Sequence, residues 1–203
     1  MTLRRIEICG GIASGKTTFA KLLSRLGFSV ILEDFKSNPF WQAFYSDPSK
    51  YAFETEISFM LQHYHQIKKG GFDRNIITCD YSFWLDRAYA AIGLKGSHLT
   101  TFKLVYKEIR KELSAPELTI YLLCDPPTEL SRIRERGRAV EAGIGIEFLE
   151  TLNAAIETEM RLAAKGHNIV KIDSTRNNFA CDEKVIEEML KLVCDTFDCK
   201  AQQ

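Results

Sequence analysis

Gly10, Gly11, Ile12, Ala13, Ser14, Gly15, Lys16 and Thr17 follow one another in the pattern G-x-x-x-x-G-K-S/T, with Thr18 next. Glycines at 10, 11 and 15 let the backbone curl so that successive N–H groups point inward, a cradle for phosphate oxygens. Lys16 supplies a point charge for the β and γ phosphates of a nucleoside triphosphate, and the Thr17 hydroxyl can ligate Mg²⁺. A helix opening near Gly15 would aim its positive end at the same anion. Together these residues predict a nucleotide-binding site.

Further groups could act on that anion. Glu33 and Asp34 close an apolar run, and either carboxylate could take a proton from a hydroxyl attacking the γ-phosphate. The competing reading is a solvated pair at a strand end. Asp80 has the place of a second carboxylate that binds the metal directly or through water, or of a helix N-cap. The stretch from Ser131 to Arg138 carries Arg132, Arg134, Arg136 and Arg138 around a helix-weakening Gly137. It can fold over phosphates as a lid near 132–145, or be a solvated basic helix end. Glu56, Phe59, Met60 and His63 share one face of a helix, as the wall of a small-molecule pocket or as core with satisfied polar tips.

The elements that must position these groups are legible around them. Ile6 to Cys9 reads as a strand ending at the loop, and Phe19, Leu22, Leu23 and Leu26 continue at helical spacing. Further strands are expected at 28–32, 75–79, 118–124 and 168–173. Helices are expected at 38–45, 49–69 (stopped by Gly70 and Gly71), 83–93, 98–114, 127–135, 146–165 and 182–197. This alternation implies an α/β chain: a five-stranded parallel sheet with helices on both faces, in a single domain over 1–203. Ligands of such sheets sit beyond the strand C-termini, where Gly10, Glu33 and Asp80 converge.

With 27 basic and 27 acidic residues, the chain has no global field to hold a nucleic acid or a membrane surface. Six cysteines form no C-x-x-C pair, and no apolar signal segment or membrane-spanning run is seen. Cys199 lies one residue too far from the end for a prenylation box. A cytoplasmic location with mostly buried thiols is expected. A homodimer is compatible with the sequence, which gives no oligomeric state.

Linked stretches across Ile6 to about Leu192 resemble the deoxynucleoside kinase family, in particular bacterial deoxyadenosine and deoxyguanosine kinases. They are Glu33 to Phe40, ending Asn38-Pro39-Phe40, and Tyr45 with Asp47-Pro48 and Tyr51-Ala52-Phe53. Arg132, Arg136-Gly137-Arg138, Glu141, Gly143-Ile144, Phe148-Leu149-Glu150 and Leu152-Asn153 follow, then Asp173 and Asn178-Phe179. The resemblance implies a P-loop kinase fold with an Arg-rich lid, and phosphoryl transfer from ATP with Mg²⁺ to a nucleoside 5′-hydroxyl. It makes Glu33 the base, with Tyr45 and Glu141 on the sugar 3′-hydroxyl and Arg132 stacked on adenine. Asn178 and Phe179 would hold that adenine, Arg136 and Arg138 would contact phosphates, and Asp80 would support Mg²⁺ with Thr17. Where the family usually has an arginine before Ser82, this chain has Tyr81; bacterial relatives with Asp-Arg at 86–87 point to Arg87 as its substitute.

Among the residues that read the acceptor's base, Glu56 stands where the family has glutamine. His63 stands where it often has arginine, and Asp86 matches the acidic member. An ionised Glu56 offers only acceptors, which suits the paired donors of guanine and opposes adenine or cytosine. Deoxyguanosine, a related purine nucleoside or a donor-rich non-standard substrate is therefore expected. The alternatives are a kinase for a non-nucleoside alcohol and a catalytically degenerate nucleotide-binding subunit.

Overall fold

The computed structural model describes residues 4–70 and 76–197. Five strands, β1 (Arg5–Gly10), β2 (Ser29–Ile31), β3 (Ile77–Cys79), β4 (Leu118–Leu123) and β5 (Ile169–Asp173), form one sheet in the order β2-β3-β1-β4-β5. Every pairing is parallel. The expected α/β architecture is present.

Eight helices connect and cover the sheet: α1 (Lys16–Leu23), α2 (Trp41–Ser46), α3 (Pro48–Gly70), α4 (Phe83–Gly93), α5 (Gly96–Glu112), α6 (Pro126–Arg136), α7 (Ile146–Ala163) and α8 (Glu183–Phe197). Ile6, Ile8, Leu118 and Ile120 of the sheet pack on α1 and α8. Cys9 and Tyr121 face α4, α6 and α7, and Ile77 and Cys79 join α3, α4 and α5. Both faces are covered, so β1 is buried along its whole length. Its two charges, Arg5 and Glu7, survive there by pairing at 2.8 Å, with Arg5 also donating to the Ser114 carbonyl.

Local chemistry sets the helix ends near the site. Ser82 caps α4 by accepting from the Leu85 amide, and Asp125 caps α6 by accepting from Thr128. Gly137 then ends α6 at φ 61°. The helix expected at 38–45 begins only at Trp41, because Asn38 is extended and its side chain is engaged by the Phe40 amide and the Thr55 carbonyl. Asn75, Gly71 and Cys199, on which readings at the third strand, the helix stop and the tail rested, lie outside the described residues.

The expectation of mostly buried thiols is corrected. Cys9 and Cys79 are buried, but Cys124 and Cys194 are half-buried and Cys181 is exposed, since these three lie at a strand end, on a surface helix and in a loop. Among the described residues, no helix is long and apolar enough to cross a membrane.

Candidate active site

A cavity of about 610 Å³ opens at the C-terminal ends of the strands. The phosphate loop floors it, and Arg132, Arg136, Arg138 and Glu141 cover one side. Phe35, Trp41, Phe44, Tyr45, Glu56, Phe59, Asp86 and Tyr89 wall the other. One crevice thus joins an anion cradle to a chamber with aromatic walls and acidic groups.

The loop is built by close approach. Gly15 sits at φ 99° immediately before α1, with no side-chain cap, so the first amides of α1 are left for a ligand. A Cβ on Gly15 would lie 2.9 Å from the Phe179 ring. At Gly11 a Cβ would stand 2.0 Å from Glu129 Oε1 and 2.5 Å from Asn153 Oδ1. Glu129 is fully buried there, held by Asn153 at 3.0 Å, and burial pushes its carboxyl up to about 7. Lys16 Nζ donates to the carbonyls of Gly10 and Gly11 at 3.0 and 2.8 Å.

Asp80 links two parts of the site and is not a helix cap, a task Ser82 performs. One carboxylate oxygen accepts from the Thr17 hydroxyl at 2.6 Å, the other from the Glu33 amide at 2.5 Å. Burial raises the Asp80 pKa despite these bonds. Glu33 lines the cavity with 32 % of its side chain accessible, whereas Asp34 is exposed and outside it. Although burial would raise Glu33, its contact with His63 and the charges of Lys16 and Arg138 hold its carboxyl below the usual range. A carboxylate kept ionised beside an anion cradle can accept a proton.

The acceptor chamber departs from its sequence reading in three ways. His63 does not line the cavity: only 2 % exposed, it stands behind the wall, with Nδ1 3.1 Å from Asp86 Oδ2 and Nε2 3.3 Å from Glu33 Oε1. Glu56 does line it, but burial and the nearby Asp86 raise its pKa well above the usual value. Both causes favour the neutral acid over the ionised acceptor assumed from sequence. Arg87 is on the wrong side of α4 to replace an arginine at Tyr81. Its Nε meets Glu159 of α7 at 2.9 Å, and its guanidinium lies over the rings of Trp84 and Tyr106.

The lid residues converge. Arg132 and Arg136, one turn apart on α6, both reach the cavity, while Arg134 does not line it. Arg132 is tied to the carbonyls of Ala13 and Ser174 at 3.4 and 2.8 Å. Arg136 and Arg138 clasp the buried Glu141 at 2.7 and 3.3 Å, and Arg138 also lies 4.3 Å over the Phe35 ring. Tyr45 lines the chamber, and burial, with Glu141 nearby, raises its hydroxyl pKa. Asn178 is exposed at the rim, but Phe179 is only 4 % exposed and packs edge-on to Phe19 at 5.1 Å. It also lines the cavity, beside Gly15 of the loop.

Sequence reasoning missed Tyr89, Trp41, Phe44 and Glu129. Tyr89 follows Asp86 by three residues on α4, so helical spacing from Asp86 would have found it. Glu129 carries no such signal, because its partner Gly11 is brought near only by the packing of α6 and α7 on β1.

Comparison with known proteins gives this geometry a family. The deoxynucleoside kinase family matches residues 6–197. A deoxyguanosine kinase of Bacillus subtilis is 28% identical over 196 residues, spanning 91% of this chain and 93% of that protein. A deoxyadenosine/deoxycytidine kinase of the same organism is 29% identical over 167 residues, 75% of this chain and 74% of that one. The solved structure of deoxyadenosine kinase from M. mycoides with bound dCTP superposes with a TM-score of 0.78 at 25% identity, covering 94% of this chain and 99% of that one. With the loop, the lid and the chamber in one cavity, this chain is an enzyme of the deoxynucleoside kinase family.

Proposed function

We propose that the enzyme transfers the γ-phosphoryl group of ATP to the 5′-hydroxyl of a purine deoxynucleoside. The observation that carries this is the position of Glu33, in the cavity between Lys16 of the phosphate loop and the chamber of Glu56, Asp86 and Tyr89. The names of the relatives, deoxyguanosine and deoxyadenosine/deoxycytidine kinases, support the acceptor class.

In this reading Arg132, Asn178 and the rim hold adenine, while the amides from Gly11 to Thr18 and Lys16 hold the phosphates. Tyr45 and Glu141 hold the sugar 3′-hydroxyl. Glu33 takes the 5′-hydroxyl proton as that oxygen bonds to the γ-phosphorus; the bond to the β-bridging oxygen breaks, and ADP leaves with its electron pair. Arg136 and Arg138 meet the charge on the transferring group. Thr17 and Asp80 fit magnesium, a hard cation carried on phosphates by one or two protein oxygens, and it would supply charge neutralisation between them.

Glu56 sets the base preference through its proton. The neutral acid offers one donor and one acceptor, as an amide does, and matches adenine; the carboxylate offers two acceptors and matches the ring N–H and amino group of guanine. The deoxyguanosine to deoxyadenosine ratio of kcat/KM should therefore rise with pH. Glu56→Gln should remove that slope and, at pH values where Glu56 is ionised, shift the ratio toward deoxyadenosine by about tenfold or more, the scale of one mismatched buried contact. ADP release against a nucleoside panel at several pH values measures this. No turnover with any nucleoside overturns the assignment, and a ratio unmoved by pH and by Glu56→Gln removes Glu56 from base recognition.

A further inference from the structure

His63 reaches its position from α3, yet its contacts come from three other segments. Glu33 follows β2 and meets Nε2 at 3.3 Å; Asp86 projects from α4 and meets Nδ1 at 3.1 Å. Tyr81, between β3 and α4, lies flat under the ring, with centroids 3.9 Å apart and planes within 8°. Phe59 stands 6.0 Å away on α3. The Tyr81 hydroxyl donates back to the His63 carbonyl at 3.5 Å, so ring and backbone are both held.

Those contacts define the charge of the ring. A neutral imidazole has one N–H and one lone pair, so it cannot face two carboxylates attractively. With a carboxylate at each nitrogen, only the imidazolium is attracted to both. A tyrosine face stacked on a cation adds further attraction. The other charged groups nearby are Glu56 on the same helix, and Lys16 and Arg138, which act on Glu33 from the loop and the lid. Burial opposes the cation, but Asp86 and Glu33 outweigh it and push His63 up to about 10.

We propose that His63 is a positioning residue that ties Glu33 to Asp86, so that the group receiving the substrate's proton and a group facing the substrate's base are held in register by one side chain. This rests on the proposed function. His63 is too buried to touch a substrate, yet both of its partners line the cavity. The bridge also makes sense of Tyr81, which supplies the platform for the ring, whereas Arg87 is committed to α7.

Two independent measurements test it. In steady-state kinetics, His63→Gln should lower kcat about tenfold or more while the KM for ATP stays within about twofold. Added to Glu33→Gln, the same change should alter kcat less than about twofold, because the group being positioned is already disabled. Equal losses in both backgrounds, or a loss confined to the KM of the nucleoside, would overturn positioning. The second measurement needs no change at His63. Nitrogen-15 NMR of the ligand-free wild type at pH 8 should show His63 as imidazolium, among the four histidines of the chain. Glu33→Gln should lower its midpoint by about one unit or more, the scale of losing an opposite charge in contact. A single neutral tautomer at pH 8, or a midpoint indifferent to Glu33→Gln, would sink the proposal. If no nucleoside is phosphorylated, the kinase reading fails, while the NMR result still decides the bridge.

Discussion

Two neighbouring carboxylates illustrate what a side chain's surroundings decide. Glu33 and Asp34 are equivalent in sequence, but the backbone after β2 turns one into the cavity and the other into solvent. Glu33→Gln should lower kcat by a factor on the order of 10² or more, since it removes proton acceptance and keeps size and hydrogen bonding. Asp34→Asn should leave kcat within about twofold. A larger loss in Asp34→Asn would reverse the assignment. Lys16, Thr17 and Asp80 were legible from sequence because a motif or a strand end fixes where they point. Arg87 and His63 were not: the direction of a side chain around α4 or α3 depends on which neighbours pack there, at separations of 72 residues to Glu159 and 30 to Glu33, differences of the residue numbers themselves.

At the level of the elements, strand and helix spans followed from alternation, apolar runs and caps, and the expected spans mostly differ from those found by a residue or two. The phosphate loop is the place where the elements press hardest on one another. Gly11 is required by α6 and α7, whose Glu129 and Asn153 fill the space a side chain would need. Gly11→Ala should therefore destabilise the fold by about 1–3 kcal/mol, the usual cost of overpacking. Glu129→Ala vacates that space, so the double variant should be more stable than the sum of the singles. Strict additivity in thermal melts would show that Glu129 swings aside freely. None of this was legible in G-x-x-x-x-G-K-S/T, which states that position 11 is variable and not what crowds it.

For the whole molecule, His63 makes stability depend on pH. His63 has a pKa raised from 6.5 to about 10 in the fold, so its contribution is complete below 6.5 and is lost as pH rises through that window. Glu56 is raised above its usual value as well, which gives a slope of the same sign. The Tm of the wild type should fall steadily from pH 6.5 to 10; a Tm that climbs across this range would contradict the charge states drawn from the geometry. The clasp of Arg136 and Arg138 on Glu141 bears on thrift with nucleotide. On the proposed roles, arginines paired with Glu141 would be withheld from the triphosphate, and a water would meet it without the charge that speeds its attack. A 3′-hydroxyl that bonded to Glu141 would, on the same roles, free the guanidiniums to turn to the phosphates only when a proper acceptor is seated. Glu141→Gln should accordingly raise acceptor-independent ATP hydrolysis relative to nucleoside phosphorylation by about fivefold or more, and an unchanged ratio would mean that idle turnover is restrained elsewhere.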